Sequence, residues 1–496
     1  MSKTLNGYKL IAYYLGIFIM MIGMIVLVPL ILLIFYKEEA SLAYCFLIPG
    51  FAAILFGFII FLVFRKTEKR NLEHSQDTIL VVNVWIIAIL VSCLPFVCYG
   101  YSFTQSIFEM TSGYSTTGLS IIKDVEVTPH LFLFFRSLTQ FIGGVGLVLI
   151  LTCAISDKYG FRIYTAEGHS DKLLPNLAKS ARLIFIIYFA YIVLGIIAYV
   201  ISGMPIFDAV NHAMCAVATG GFSVKNASIL AYNSVAIEII TDILMILGST
   251  SFVLHLALIR FKFKDLWHDC EIRFFLGYIL LILPLTALLL FLSNYSNDFW
   301  YDLRVSSFQM ISCLTTTGFF SVPYFDPSTM AKLLPPAFFG FMIISMVIGG
   351  GLGSTSGAIK QFRVVAAVKG IFYEIKDRLS NRKVIKTHFI ARYGQDVEMT
   401  NNVVDSNIKF VLVYILVLIV GSLAISCFGY ELGDSLFEMS SALGTVGLSV
   451  GVVGGSTPYG VLWILIGAMF LGRLEIYIVF QALIRIFNDI ARRQTM

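Results

Sequence analysis

The chain has 496 residues, of which 58% are hydrophobic and only 13% charged, with a formal net charge of +5 at pH 7. Soluble domains carry about 25% charged residues, and a mean hydropathy of +0.87 excludes the usual division into water-solvated domains of ~150 residues. The quantity to count is membrane spans.

A spanning helix needs ~20 mainly apolar residues. In chain order, uncharged runs of that kind lie at 10–36, 40–64, 79–101, 183–202, 274–297, 333–359 and 410–430. Three more apolar runs, near 131–155, 235–259 and 457–484, carry isolated charges. These predict ten spans and leave no room for a sizeable soluble domain. The first run is too long for a signal-peptide core and lacks a small-residue cleavage site, so it reads as a retained helix. The cysteines (Cys45, Cys93, Cys98, Cys153, Cys215, Cys270, Cys313, Cys427) are scattered, without CxxC or a histidine at metal-ligand spacing. They read as small core packers.

Short loops rich in Lys and Arg stay in the cytoplasm. With the N-terminus inside, Arg65, Lys66, Lys69 and Arg70 follow the second span, and Lys158, Arg162, Lys172, Lys179 and Arg182 the fourth. Arg260, Lys262, Lys264 and Arg273 follow the sixth, and Lys369, Lys376, Arg378, Arg382, Lys383, Lys386 and Arg392 the eighth. Arg485, Arg492 and Arg493 close the chain on the same side, against Lys37, Lys123, Arg136, Lys225, Arg304 and Lys332 outside. The bias places both termini in the cytoplasm.

Internal repeats are sought before motifs, and four outer connections align without gaps. They read SIFEMTSGYSTTGLS (106–120), AVNHAMCAVATGGFS (209–223), SSFQMISCLTTTGFF (306–320) and SLFEMSSALGTVGLS (435–449). Counting back from Gly118, Gly221, Gly318 and Gly447, a polar residue stands nine before each (Glu109, His212, Gln309, Glu438) and a small one six before (Ser112, Cys215, Ser312, Ser441). Each copy lies between two spans.

Irregular backbone at membrane depth is tolerated only where protein buries it or it lines a watery path. A short re-entrant helix would end at Ser115, Ala218, Thr315 or Gly444, its C-terminal dipole pointing partial negative charge beyond. There lie four tetrads, Ser115-Thr116-Thr117-Gly118, Ala218-Thr219-Gly220-Gly221, Thr315-Thr316-Thr317-Gly318 and Gly444-Thr445-Val446-Gly447, the last three residues of each being the filter positions. Glycine lets consecutive carbonyls face one way, and threonine adds an uncharged oxygen. Four such segments around an axis form an oxygen-lined filter able to replace the hydration shell of a monovalent cation, as the TVGYG loops of K⁺ channels do. The competing reading, tight turns or helix packing, does not account for four copies in register. No carboxylate stands in the tetrads, which argues against a divalent-cation site.

At these loops, and at QFIGGVG (140–146), LHLAL around His255, GGGLGSTSGAIK (349–360) and LGRLEIY (471–477), the sequence resembles the TrkH/KtrB superfamily of potassium transporters over nearly its whole length. Two spans before the first repeat look more like the TrkH branch. The resemblance implies a pseudo-fourfold pore, pairing of chains as homodimers, and control by a cytoplasmic nucleotide-binding ring of the TrkA type.

Gly349, Gly350, Gly351, Gly353 and Gly357, with Ser354, Thr355 and Ser356 between, interrupt the third repeat's inner helix. This reads as an unwound loop acting as a gate below the filter; a phosphate loop is disfavoured because no GK[ST] follows. Arg473 interrupts the fourth inner helix, and a charge inside a span is by default functional or paired toward the interior. It is expected to face the pore below the filter and repel cations until the loop moves, with a structural salt bridge as the alternative. Lys360 and Arg363 are expected to anchor the loop at the cytoplasmic face. For Glu238 and Asp242, snorkelling or pairing with Arg304 is favoured over a cation-attracting vestibule. His255 reads as a packing histidine, and 377–396 as a basic, amphipathic stretch.

The expectation is an all-α polytopic membrane protein with ten spans and four re-entrant pore helices: 1–72 two leading helices, 73–180, 181–270, 271–400 and 401–496 the four pore repeats. Its expected role is selective K⁺ uptake across the bacterial inner membrane, with the lipid bilayer as surroundings, no covalent chemistry, no organic cofactor and no nucleic-acid partner. The alternative is symport of K⁺ with Na⁺ or H⁺, which usually employs two repeats rather than four of one orientation.

Overall fold

The computed structural model describes residues 2–67, 76–147, 177–296, 298–322, 334–379 and 387–494. Lys69, Arg70, Lys158, Arg162, Lys172, Lys332, Arg382, Lys383, Lys386, Cys153 and the apolar run over 148–155 lie outside the described residues, as do the side chains of Lys179, Arg492 and Arg493.

The described residues are mostly helical. Helices α1 (Ser2–Leu27) and α2 (Tyr44–Phe64) form a leading hairpin. Their backbones touch through glycines spaced seven apart: a Cβ on Gly16 would lie 2.9 Å from the Gly57 carbonyl, and one on Gly23 2.8 Å from that of Gly50. Small residues of this kind let spanning helices approach closely where no hydrophobic effect draws them together. The first repeat comprises α3 (Gln76–Ser92), α4 (Leu94–Tyr99), α5 (Phe103–Tyr114) and α6 (His130–Val145). The second comprises α7 (Leu177–Ile201), α8 (Ile206–Val217), α9 (Val235–Ser249) and α10 (Phe252–Ile259), followed by the short α11 (Phe263–Trp267). The third has α12 (Cys270–Leu292), α13 (Phe299–Leu314), α14 (Pro336–Ile348) and α15 (Gln361–Arg378). After a small hairpin, β1 (Phe389–Arg392) and β2 (Gln395–Glu398), the fourth has α16 (Asn401–Ser426), α17 (Leu432–Leu443), α18 (Tyr459–Arg473) and α19 (Ile476–Gln494).

The hairpin is the one sheet among the described residues of an otherwise helical fold. Its antiparallel strands pair Ile390 with Val397 and Arg392 with Gln395, and Tyr393 (φ 51) and Gly394 (φ 78) both adopt the left-handed conformation that a two-residue hairpin turn requires.

Six helices among the described residues are long and apolar enough to cross a membrane. Two bent pairs, α9 with α10 (113°) and α18 with α19 (101°), pass the same test together. Within the other two expected spans, near 131–155 and 333–359, the described residues hold the shorter α6 and α14, which are interrupted at Gly146 (φ 105) and Gly349 (φ 74). Hydropathy windows count glycine-rich irregular backbone as helix because glycine is not polar; it breaks the helix by conformation instead.

Of the cysteines, Cys45, Cys93, Cys215, Cys270 and Cys313 are buried packers, whereas Cys98 and Cys427 are exposed. Both lie at the ends of apolar helices, α4 and α16.

Candidate functional site

Four short helices, α5, α8, α13 and α17, end at Ser115, Ala218, Thr315 and Gly444. A capping box starts α5: Gln105 N donates to Ser102 Oγ (3.3 Å) and Ser102 N to Gln105 Oε1 (3.2 Å). Asp298 caps α13 through Trp300 N (2.9 Å). At the other end the backbone does the same thing four times. Thr116, Thr219, Thr316 and Thr445 turn left-handed at φ 57, 50, 56 and 53, and Gly118, Gly221, Gly318 and Gly447 do so at φ 94, 74, 83 and 96. A β-branched residue at positive φ is a genuine outlier, worth about 1–3 kcal/mol of strain. Four repetitions mean that the surrounding structure imposes it. Alternating the hand of successive residues turns successive carbonyls toward the same side.

The segments form a closed ring. A Cβ added to Gly118 would overlap the carbonyl oxygen of Gly220, one on Gly221 that of Thr317, one on Gly318 that of Val446, and one on Gly447 that of Thr117. Each glycine's missing side chain is thus the space used by the carbonyl of the third tetrad residue in the next copy, in the order 1, 2, 3, 4 and back to 1. All twelve residues of the ring from Thr116 to Gly447 are uncharged, and the threonines are buried.

Three of the four residues nine before the glycines staple the ring from behind. Glu109 accepts from Ser120 Oγ (2.9 Å) and Ile121 N (3.0 Å), His212 Nε2 meets Ser223 Oγ (2.9 Å), and Glu438 bonds Ser449. In the third copy Phe320 stands where the others have serine, so Gln309 makes no such bond. The small residue six before acts within the loop: Ser112 Oγ accepts from Gly118 N (3.0 Å), Ser441 Oγ from Gly447 N (3.0 Å), and Ser312 Oγ donates to Phe319 O (2.6 Å).

Two supports escaped the sequence reading. Arg136, which the charge pattern assigns to the outer face, is 2% exposed. Its Nε donates to Glu109 (2.7 Å), its Nη2 to Ser120 Oγ (3.0 Å), and its guanidinium lies 4.0 Å from the centre of the Phe222 ring. An isolated charge inside an apolar run was the available signal. Gln140 reaches the second loop, donating to Gly220 O and accepting from Phe222 N (3.1 Å).

Residues 349–360 form an irregular stretch between α14 and α15 that touches the ring directly. Thr355 Oγ1 bonds Gly248 O (2.8 Å) and meets Thr219 Oγ1 (3.0 Å), and Gly357 N donates to Thr316 Oγ1 (3.0 Å). A Cβ on Gly357 would overlap Thr445 Oγ1. Gly350 packs on Ser356, and Ser354 Oγ bonds Gly351 O (2.6 Å) and Ser356 Oγ (2.6 Å). Arg473 completes the arrangement: it donates to Thr116 Oγ1 (3.2 Å), Thr355 O, Gly143 O and Gly144 O (3.0 Å). Glu475 is not its counter-ion; it pairs with Arg363 (2.7 Å). Lys360 departs from expectation, being 8% exposed with its ammonium donating to Ser356 O, because the chain turns left-handed there (φ 83) and folds it back onto the loop.

On the other side of the ring a cavity of about 330 Å³ is lined by residues including Gly118, Gly221, Gly447, Lys123, Lys225 and Arg136. Its wall is clasped by Asp124, which accepts from Asn226 Nδ2 (2.8 Å) and Glu126 N (3.0 Å). Those bonds, Asn226 first, hold the Asp124 carboxyl below the ordinary aspartate range. Glu238 and Arg304 form a bidentate pair (2.7 Å and 2.7 Å), while Asp242 takes no part in it. His255 is buried and meets Tyr191 OH (3.0 Å). Among the described residues there is no cluster of three metal-ligating His, Cys, Asp or Glu side chains.

A family model described as TrkH, cation transport protein, matches residues 45–486. The chain is 30% identical over 481 residues to an uncharacterised cation transporter of Methanocaldococcus jannaschii, covering 96% of this chain and 94% of that protein. It is 28% identical over 483 residues to the Trk system potassium uptake protein TrkH of Salmonella typhimurium, covering 95% and 97%. The crystal structure of the potassium transporter TrkH from Vibrio parahaemolyticus is similar with a TM-score of 0.83 at 25% identity, over 95% of this chain and 98% of that one.

Proposed function

The chain belongs to the TrkH family of cation transport proteins, and on that premise we propose that it takes K⁺ into the cell through a single-chain fourfold filter. Proteins of this family are transporters, not enzymes. The observation that carries the reading is the ring of four tetrads, closed glycine to carbonyl, with a left-handed threonine in every copy. Such a ring offers dehydrated K⁺ stacked uncharged oxygens, and the buttresses behind it fix their spacing.

Ions would enter from the cavity at Gly118, Gly221 and Gly447 and leave past 349–360. That segment, with Arg473 beneath the ring, is the gate in this reading: loop and guanidinium fill the exit, and the positive charge opposes a cation there. Conduction runs down the electrochemical gradient, since a ~100 mV negative interior contributes ~2.3 kcal/mol per charge. The four units are 73–180, 181–270, 271–400 and 401–496 behind the two helices of 1–72. The chain sits as a homodimer in the bacterial inner membrane with both termini in the cytoplasm, and a TrkA-type ring acts on it from there.

The test is growth at low K⁺ of cells lacking their own uptake systems. The parent chain, with a TrkA-type partner, restores growth in this reading, and Gly447→Asp at equal expression does not. Equal rescue by both removes the ring from the transport path.

A further inference from the structure

We propose that Glu271 is the latch of the 349–360 segment, and that the β1–β2 hairpin sets that latch from the cytoplasmic side. The inference rests on the reading of this segment as the gate and adds the residue that positions it.

Glu271 stands in the first turn of α12 and is 4% exposed. One carboxylate oxygen, Oε1, accepts from Leu352 N (2.7 Å) and from Phe362 N (3.2 Å). These N–H groups bracket everything in the segment that touches the ring: Thr355, Gly357 and the Thr355 carbonyl held by Arg473. The other oxygen, Oε2, faces Gly351, where a Cβ would lie only 3.2 Å away. No ion-pair partner of Glu271 stands within 4.0 Å among the described residues. A buried carboxyl group is expensive unless its oxygens are hydrogen-bonded, and the Leu352 and Phe362 N–H groups supply those bonds to Oε1. A cavity of about 30 Å³ adjoins Glu271, Gly351 and Ser249, so packing does not fill this side of the segment.

Asp269 ties the latch to the hairpin. It is fully buried; Oδ1 caps α12 through Glu271 N (2.9 Å) and Ile272 N (3.4 Å), while Oδ2 accepts from Tyr393 N (2.9 Å). Tyr393 OH meets Ser251 Oγ (3.2 Å) at the break between α9 and α10, where Phe252 N donates to Gly353 O (2.9 Å). The Arg392 guanidinium lies 4.5 Å from the centre of the Phe362 ring. A displacement of the turn at Tyr393 therefore moves Asp269, the start of α12 and both ends of the segment together. Every residue of β2 is exposed, so a cytoplasmic protein can grip the hairpin without disturbing the membrane-embedded helices.

The experiment uses the full-length chain in proteoliposomes, with Rb⁺ uptake measured without any partner protein. Glu271→Ala is expected to raise uptake about tenfold or more, through the loss of the two hydrogen bonds to Leu352 N and Phe362 N. Glu271→Gln, whose amide oxygen still accepts from both N–H groups, is expected to stay within about twofold of the parent. Asp269→Ala is expected to raise uptake too, and preference for Rb⁺ over Na⁺ is expected to persist in all three, because the ring itself is untouched. Uptake unchanged or reduced in a Glu271→Ala chain that melts at the parent temperature overturns the latch. A chain shortened within 351–354 separates the two ideas: more uptake there but none for Glu271→Ala overturns the latch and keeps the gate, and no change in either overturns both. Where a variant does not fold, amide hydrogen exchange on the parent decides: slow exchange at Leu352 and Phe362 supports the latch, and free-loop exchange overturns it.

Discussion

Replacing Arg473 with glutamine is expected to raise inward Rb⁺ flux by at least tenfold. Nη1 of Arg473 lies 3.2 Å from Thr116 Oγ1, at the inner end of the ring. A cation leaving the lowest oxygens therefore passes within ~6 Å of a full positive charge, which at an effective dielectric of ~20 is a repulsion of about 3 kcal/mol, on the order of a hundredfold in rate. Arg473 is half-buried, so water in the exit screens part of this, and tenfold is the lower bound the geometry supports. Glutamine keeps an amide donor for Thr355 O and removes the charge; lysine keeps the charge and is expected to leave flux close to the parent. The assay is Rb⁺ uptake by proteoliposomes at matched protein content, with thermal melts to show that each variant is folded. A folded Arg473→Gln chain with parent-level or lower flux refutes the electrostatic part of the account.

Gly318→Ala places a Cβ at φ 83 against the Val446 carbonyl; left-handed strain alone is worth about 1–2 kcal/mol, and the overlap pushes the fourth loop aside, so Rb⁺ uptake is expected to be lost. Gly100→Ala is the control, since φ is 118 there but nothing lies within 4 Å, and uptake is expected to survive. Arg136→Met leaves the buried Glu109 without its ion-pair partner, a loss of about 3–5 kcal/mol that a melting curve records; adding Glu109→Gln is expected to restore part of it. For Asp124, whose folded pKa lies below the ordinary 3.8, the clasp on Asn226 contributes fully above that value and is lost as pH falls through the folded one. Amide exchange around 124–126 is expected to accelerate only in that acid window, and Asp124→Asn removes the dependence.

The ends of the short helices and the register of the four tetrads were legible in the sequence because local chemistry sets both. Glycine at 118, 221, 318 and 447 and the polar residue nine before it recur at fixed spacing whatever the surroundings. What was not legible depends on which distant segments meet. Arg136 reads as a surface charge until Glu109 and Phe222 are seen around it, and Glu271 reads as an ordinary acidic start to a helix until Leu352 and Phe362 turn their N–H groups onto it. Hydropathy alone does not show where glycines break an apolar run, at Gly146 and Gly349, and Lys360, expected to anchor the loop at the cytoplasmic face, is instead turned back onto the loop by a left-handed backbone that follows from the folded segment rather than from its neighbours. The two-strand hairpin was missed because four-residue strands flanking Tyr393-Gly394 carry little periodicity of their own.

The central claim is that the ring of four tetrads selects the ion, and ion competition in proteoliposomes tests it most directly. Rb⁺ uptake by the parent chain is expected to be suppressed by external K⁺ and indifferent to equal Na⁺. Conservative changes within the ring, Thr316→Ser and Val446→Thr, are expected to shift that preference while the chain stays folded. Uptake that K⁺ and Na⁺ suppress equally, or a preference that no change in the ring alters, contradicts the account.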